Sequence, residues 1–200
     1  MMEIALMNVA KSWKRILAWH KANTPAGTFS VSHGATRQEL LELESLIGTT
    51  MPKTFRESYI LHNGTARTWL LHHGSLHTLD GIATEWRMYS KWQEENGYGT
   101  FPTWHPTQLE SMAIKPIWWG PLRLPITDNG GGDPVTLDFD PAEDGSVGQV
   151  IKFNHEVGPI NILAYGFGEW LDGIASELEA GKYIYDEDES MVWPLAWSDR

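Results

Sequence analysis

The chain has 200 residues, 42% hydrophobic and 20% charged, with no cysteine and a formal net charge of −11. That length suits one core-bearing domain, and the absence of thiols excludes disulfides and Cys-ligated zinc or iron–sulfur sites. The acidity is one-sided, with 10 Lys/Arg against 9 Asp/Glu in residues 1–100 but 5 against 17 in residues 101–200, which disfavours direct binding of nucleic acid.

Leu6, Val9, Trp13, Ile16, Leu17 and His20 recur at helical spacing, so an amphipathic helix is expected to run up to Pro25 and Gly27. Met1 to Trp13 has no basic start followed by a continuous apolar run, and no stretch of about 18 apolar residues occurs anywhere. A soluble, cytoplasmic protein is therefore expected. Thr36 and Glu39 have capping-box spacing ahead of Leu40, Leu43 and Ile47, and Gly48 ends that second helix. Pro52 suits the first position of a third helix through Phe55, Tyr59 and Ile60, which Asn63-Gly64 should end.

A strand is expected over Trp69–Leu71, and then a helix carrying Ile82, Trp86, Tyr89 and Trp92 that stops near Asn96-Gly97. Gly97 to Glu110 reads as a loop insertion. Strands follow at Ile114–Trp119 and Arg123–Thr127, confined to edges, starts or bulges by Pro116, Pro121 and Pro125.

Leu124 to Ile151 reads as an acidic meander. In a strand from Val135 to Asp140, Val135, Leu137 and Phe139 face a core while Thr136, Asp138 and Asp140 share the opposite, exposed face. The three glycines between Asp128 and Asp133, with Pro141 and Gly145, supply the turns, and a strand at Gln149–Asn154 continues the sheet. Phe167, Trp170, Leu171, Ile174 and Leu178 mark a closing helix that ends at Gly181. Tyr183–Tyr185 and the acidic run Asp186–Glu189 come last. Helices, then sheet, then helix make an α+β fold: N-terminal helices, a central, mainly antiparallel sheet and a C-terminal helix.

The chemical motifs are thin. Asp138, Asp140 and Asp144-Gly145 lack EF-hand spacing, and His72, His73 and His77 lack H-E-x-x-H spacing, so no metal is assigned. Gly130-Gly131-Gly132 is followed by Asp133, an acid that repels phosphate, and no G-x-S-x-G elbow occurs. No catalytic residue and no cofactor is assigned. Trp118 and Trp119, adjacent on the expected strand, should face opposite sides, one under the helices and one in a groove.

The residues Gly34 to Glu44 (G-A-T-x-x-E-L-x-x-L-E), Gly48, Met51-Pro52, Phe55-Arg56, Tyr59 and His62-Asn63-Gly64 resemble the N-terminal signature of the SUKH superfamily. Pro125-Ile126, Gly132-Asp133, Leu137-Asp138 and Gly148-Gln149-Val150 resemble its central strands, and Phe167, Trp170 and Leu171 its closing helix. The resemblance spans roughly residues 10–185. It implies a SUKH-like α+β fold with a bent sheet and no shared enzymatic chemistry; a single domain is expected over 1–185, and the acidic, Trp-containing tail over 186–200 departs from the family pattern.

The family includes bacterial immunity proteins that neutralise toxins, often nucleases, and fungal cell-wall-assembly regulators. The expected function is accordingly a non-enzymatic immunity protein that binds a cognate toxin, or another protein with a basic surface. A regulatory scaffold in cell-wall assembly is the alternative, and a carbohydrate-binding or hydrolytic protein ranks last. The candidate partner-binding residues are Trp118, Trp119, Asp128, Asp133, Asp138, Asp140 and Asp144.

Overall fold

The computed structural model describes residues 8–66, 68–71, 73–96 and 112–197. Leu6, His72 and the insertion from Gly97 to Glu110 lie outside the described residues. Helix α1 (Val9–Asn23) opens at Asn8, whose side chain accepts from the Lys11 N–H, and buries Val9, Ser12, Trp13, Ile16 and His20 along one face. Helix α2 (Arg37–Ile47) carries the expected capping box: Thr36 and Glu39 satisfy each other's backbone donors, and Gly48 closes the helix at φ +78°. In α3 (Lys53–Leu61), Pro52 sits one residue earlier than expected, at the cap itself.

The strands are β1 (Trp69–Leu71), β2 (Gly74–Leu76), β3 (Arg123–Pro125), β4 (Thr127–Asp128), β5 (Val135–Asp138), β6 (Gln149–Asn154), β7 (Gly158–Ala164), β8 (Tyr183–Asp186) and β9 (Met191–Pro194). Helix α4 (Leu79–Asn96) falls between β2 and β3, and α5 (Phe167–Glu179) between β7 and β8. All pairings are antiparallel, in the orders β1-β2-β4, β3-β5-β6-β7 and β8-β9.

Ile126 makes the bend between the first two sheets. Its N–H donates to Val135 O while its carbonyl accepts from the His77 N–H, so one run of chain leaves the four-stranded sheet and enters the three-stranded one.

One sheet face, with Leu124, Leu137 and Val150, packs with Trp13, Phe55, Tyr59, Phe167 and Leu171 into the main core. Trp13 Nε1 donates to Ser58 Oγ at 2.8 Å, and Arg15 reaches Asp172 and Glu179 on α5, so α1 is tied to both neighbouring helices. The other face is covered as well, by α4 and residues 112–121. There Tyr89, Trp118, Trp119 and Phe153 form a second, aromatic cluster.

Residues 183–194, expected as strand and then tail, form the β8–β9 hairpin, and its Trp193 ring lies 6.4 Å from that of Trp69 on β1. Beneath the hairpin is a cavity of about 150 Å³, lined in part by His20, Phe29, Trp69, Met191 and Val192.

Candidate functional site

Two expectations change on the second sheet face. Residues Ile114–Trp119 form turns and bends, not a strand. Their carbonyls are drawn to a buried cation: Arg123 donates to Ile117 O at 2.7 Å, Trp118 O at 3.1 Å and Lys115 O at 3.0 Å. Pro116, which has no N–H, suits such an irregular path. Without strand alternation, both indoles turn inward. Trp119 stacks on Tyr89 at 4.3 Å, Trp118 sits edge-on to Phe153 at 5.3 Å, and neither is open to a partner.

Asp138 is also not on an exposed face. Arg123, Asp138 and Gln149 are register partners across β3, β5 and β6, and all three are buried. Gln149 Nε2 donates to Asp138 Oδ2 at 3.2 Å and to Ala113 O at 3.1 Å, which pins the covering segment to the sheet. Burial pushes the Asp138 carboxyl up, and the Arg123 charge holds it back. Asp140 is half exposed and paired with Lys115, so these two acids do not face one cleft as a hydrolytic pair requires. Asp144 is exposed in the turn after β5.

Asp133 lies elsewhere. It accepts from the His155 N–H, from His155 Nδ1 and from Asn154 Nδ2, and so fixes the turn that follows β4.

Asp128 lines a groove of about 850 Å³ between α4, β2 and the turn after β4. From α4 come Asp80, Gly81, Thr84, Glu85 and Met88, spaced three or four apart on one helix face. Leu79, Ile82, Ala83 and Tyr89 on the opposite side are buried. Leu76 and His77 form the floor with Ala66. Asn63 Oδ1 accepts from the Leu79 N–H at 2.8 Å and fixes the start of α4, while the Tyr89 hydroxyl donates to Gly132 O at 2.9 Å and ties the glycine turn to the helix.

Gly74 lets β2 and β4 meet. Its φ is +98°, and a Cβ there would lie 2.1 Å from Asp128 O.

The groove's described lining is electronegative. Among the described residues that line it, Asp80, Glu85 and Asp128 are carboxylates, and there is no lysine or arginine. His77 Nε2 contacts Glu85 Oε2 and orients it, and the Gly130 N–H orients Asp128. Burial raises the Tyr89 phenol, and the charges of Glu85, Asp133 and Asp128 raise it further, so three carboxylates act on one point. Met88 stands 56% exposed in the same groove. Sequence reading singled out Asp128 but missed Asp80, Glu85 and Met88, of which only Glu85 and Met88 stand three apart on the expected helix.

Helices around a bent antiparallel sheet, with each sheet face covered, define an α+β module of the SUKH kind. The chain belongs to the SMI1 / KNR4 family (SUKH-1), whose family model matches residues 34–173.

Among its curated relatives are the cell wall biosynthesis/cell cycle regulator smi1 of Schizosaccharomyces pombe, 26% identical over 92% of this chain and 39% of that protein. The glucan synthesis regulatory protein of Neurospora crassa is 23% identical over 90% of this chain and 40% of its own length. The cell wall assembly regulator SMI1 of Saccharomyces cerevisiae is 21% identical over 89% of this chain and 42% of its own. The chain thus spans about two fifths of these relatives, and the names they carry are those of regulators.

Proposed function

We propose that this chain is a non-enzymatic regulatory module that acts by binding proteins, in the manner of a cell-wall-assembly regulator. The observation that carries this reading is the match to fungal cell-wall and glucan-synthesis regulators over about nine tenths of the chain. Those relatives favour regulation over toxin neutralisation, so the alternative expectation takes first place. The burial of Asp138 beside Gln149 and the pairing of Asp140 with Lys115 weigh against a hydrolytic reading of these carboxylates.

Deletion of the gene tests the proposal. A regulator's loss alters wall composition or sensitivity to wall-perturbing agents in cells that meet no toxin. An unaltered wall, together with protection from a co-expressed toxin, reverses the order of the two readings.

A further inference from the structure

We propose that the groove between α4 and the β2–β4 edge binds a basic, extended segment of a partner protein, with an aliphatic side chain of that segment seated on Met88. This rests on the protein-binding reading and names the partner's chemistry. The groove has room for several side chains, and its lining is mostly apolar, with Ala66 and Met88 contributing. An exposed methionine is an adaptable anchor, because its unbranched thioether moulds to different aliphatic partners.

Charge decides which partner enters. Asp80, Glu85 and Asp128 line the groove without a lysine or arginine among its described residues. An acidic peptide, an anionic membrane or a nucleic acid meets repulsion there, while lysine and arginine side chains meet oriented acceptors. Glu85 is held by His77 and Asp128 by the Gly130 N–H, so little ordering is left to be done on binding.

A second groove does not discriminate in this way. Between α2 and α3, Leu40, Leu41 and Ile60 are rimmed by Arg37, Lys53 and Arg56 together with Glu44 and Glu57, a mixture that selects neither sign.

The test uses the full chain and a fluorescent peptide built from lysine, arginine and two leucines, with anisotropy read at about 50 and about 200 mM salt. Asp80→Asn/Glu85→Gln/Asp128→Asn is expected to weaken binding about ten-fold or more. Neutralising the β8–β9 turn with Asp186→Asn/Asp188→Asn/Glu189→Gln is expected to stay within about two-fold of wild type. Met88→Ser, which alters only an exposed side chain, is expected to cost about five-fold without changing the salt dependence.

Equal losses in the two triple variants, or an unaffected Met88→Ser, overturn the groove assignment. In a deletion strain, failure of the wild-type chain to restore the wall counts against the regulatory reading itself. Restoration by the groove variant as fully as by wild type counts against the groove alone.

Discussion

Arg123 and Asp138 stand directly opposite each other on β3 and β5, 2% and 0% exposed, and the guanidinium hydrogen bonds go not to Asp138 but to the three backbone carbonyls of the covering segment. The carboxylate is therefore balanced by a nearby charge and bonded by Gln149 and the Asp140 N–H. Arg123→Met removes both the balancing charge and the donors, and is expected to cost about 3–5 kcal/mol in urea unfolding. Asp138→Asn should cost less. Because burial raises the Asp138 carboxyl, its contribution to stability is whole below its unfolded pKa and is lost as pH rises through its folded one. The asparagine variant should lack that loss.

His20 gives the opposite pH dependence. Its ring is 3% exposed and stacked on Phe29 at 3.8 Å, with neither nitrogen held by a side chain. Burial lowers its pKa from 6.5 to about 4. The folded protein takes up this proton less readily than the unfolded chain, so the contribution is whole above pH 6.5 and drains away as pH falls through about 4. The loss amounts to about 3 kcal/mol. Urea midpoints measured from pH 7 to pH 4 should fall for wild type and fall less for His20→Phe. Amide exchange should quicken first at Met191–Pro194, which packs over the same cavity.

The α2 cap offers a local test. The Thr36 hydroxyl accepts from the Glu39 N–H at 3.2 Å, and the Glu39 carboxylate accepts from the Thr36 N–H at 2.7 Å. Thr36→Ala is expected to lower stability by about 1 kcal/mol in thermal unfolding, and Thr36→Ser to restore most of it.

Gly74→Ala should reach further than its size suggests. The methyl group meets Asp128 O and the backbone beyond it, at a residue whose φ of +98° already excludes most side chains. A loss of about 2–4 kcal/mol is expected in urea unfolding, together with displaced amide resonances in β4.

Much of the fold was legible where local pattern and tertiary packing agree. The capping box of α2, the apolar stripe of α5 and the full extent of β6 follow from spacing alone. The meander was half legible. Alternation identified Val135, Leu137 and Phe139 as core-facing, but it cannot say what covers the other side. The signal lay on β6, where Val150 faces the main core while Ile151 and Phe153 are apolar on the opposite face, as in a strand covered on both sides.

Strand β7, residues 158–164, was missed because its apolar residues do not alternate cleanly, Leu163 following Ile162 directly. The candidate site was legible only at Asp128. Its remaining walls come from α4 and β2, brought alongside by contacts such as that of Tyr89 with Gly132, which no local spacing reveals.

The chain that bends at Ile126 also sets a length constraint. Pro125 is paired with Thr136 in one sheet and Thr127 with Leu76 in the other, one residue to either side of the bend. An added or missing residue at the bend shifts the register of one sheet against the other. It would turn the side chains of one sheet inside out relative to the other, burying Asp128 and exposing Thr127. Spacing at this point is thus under the same constraint as composition, and chains that keep the fold should vary the residue at 126 more readily than the count of residues around it.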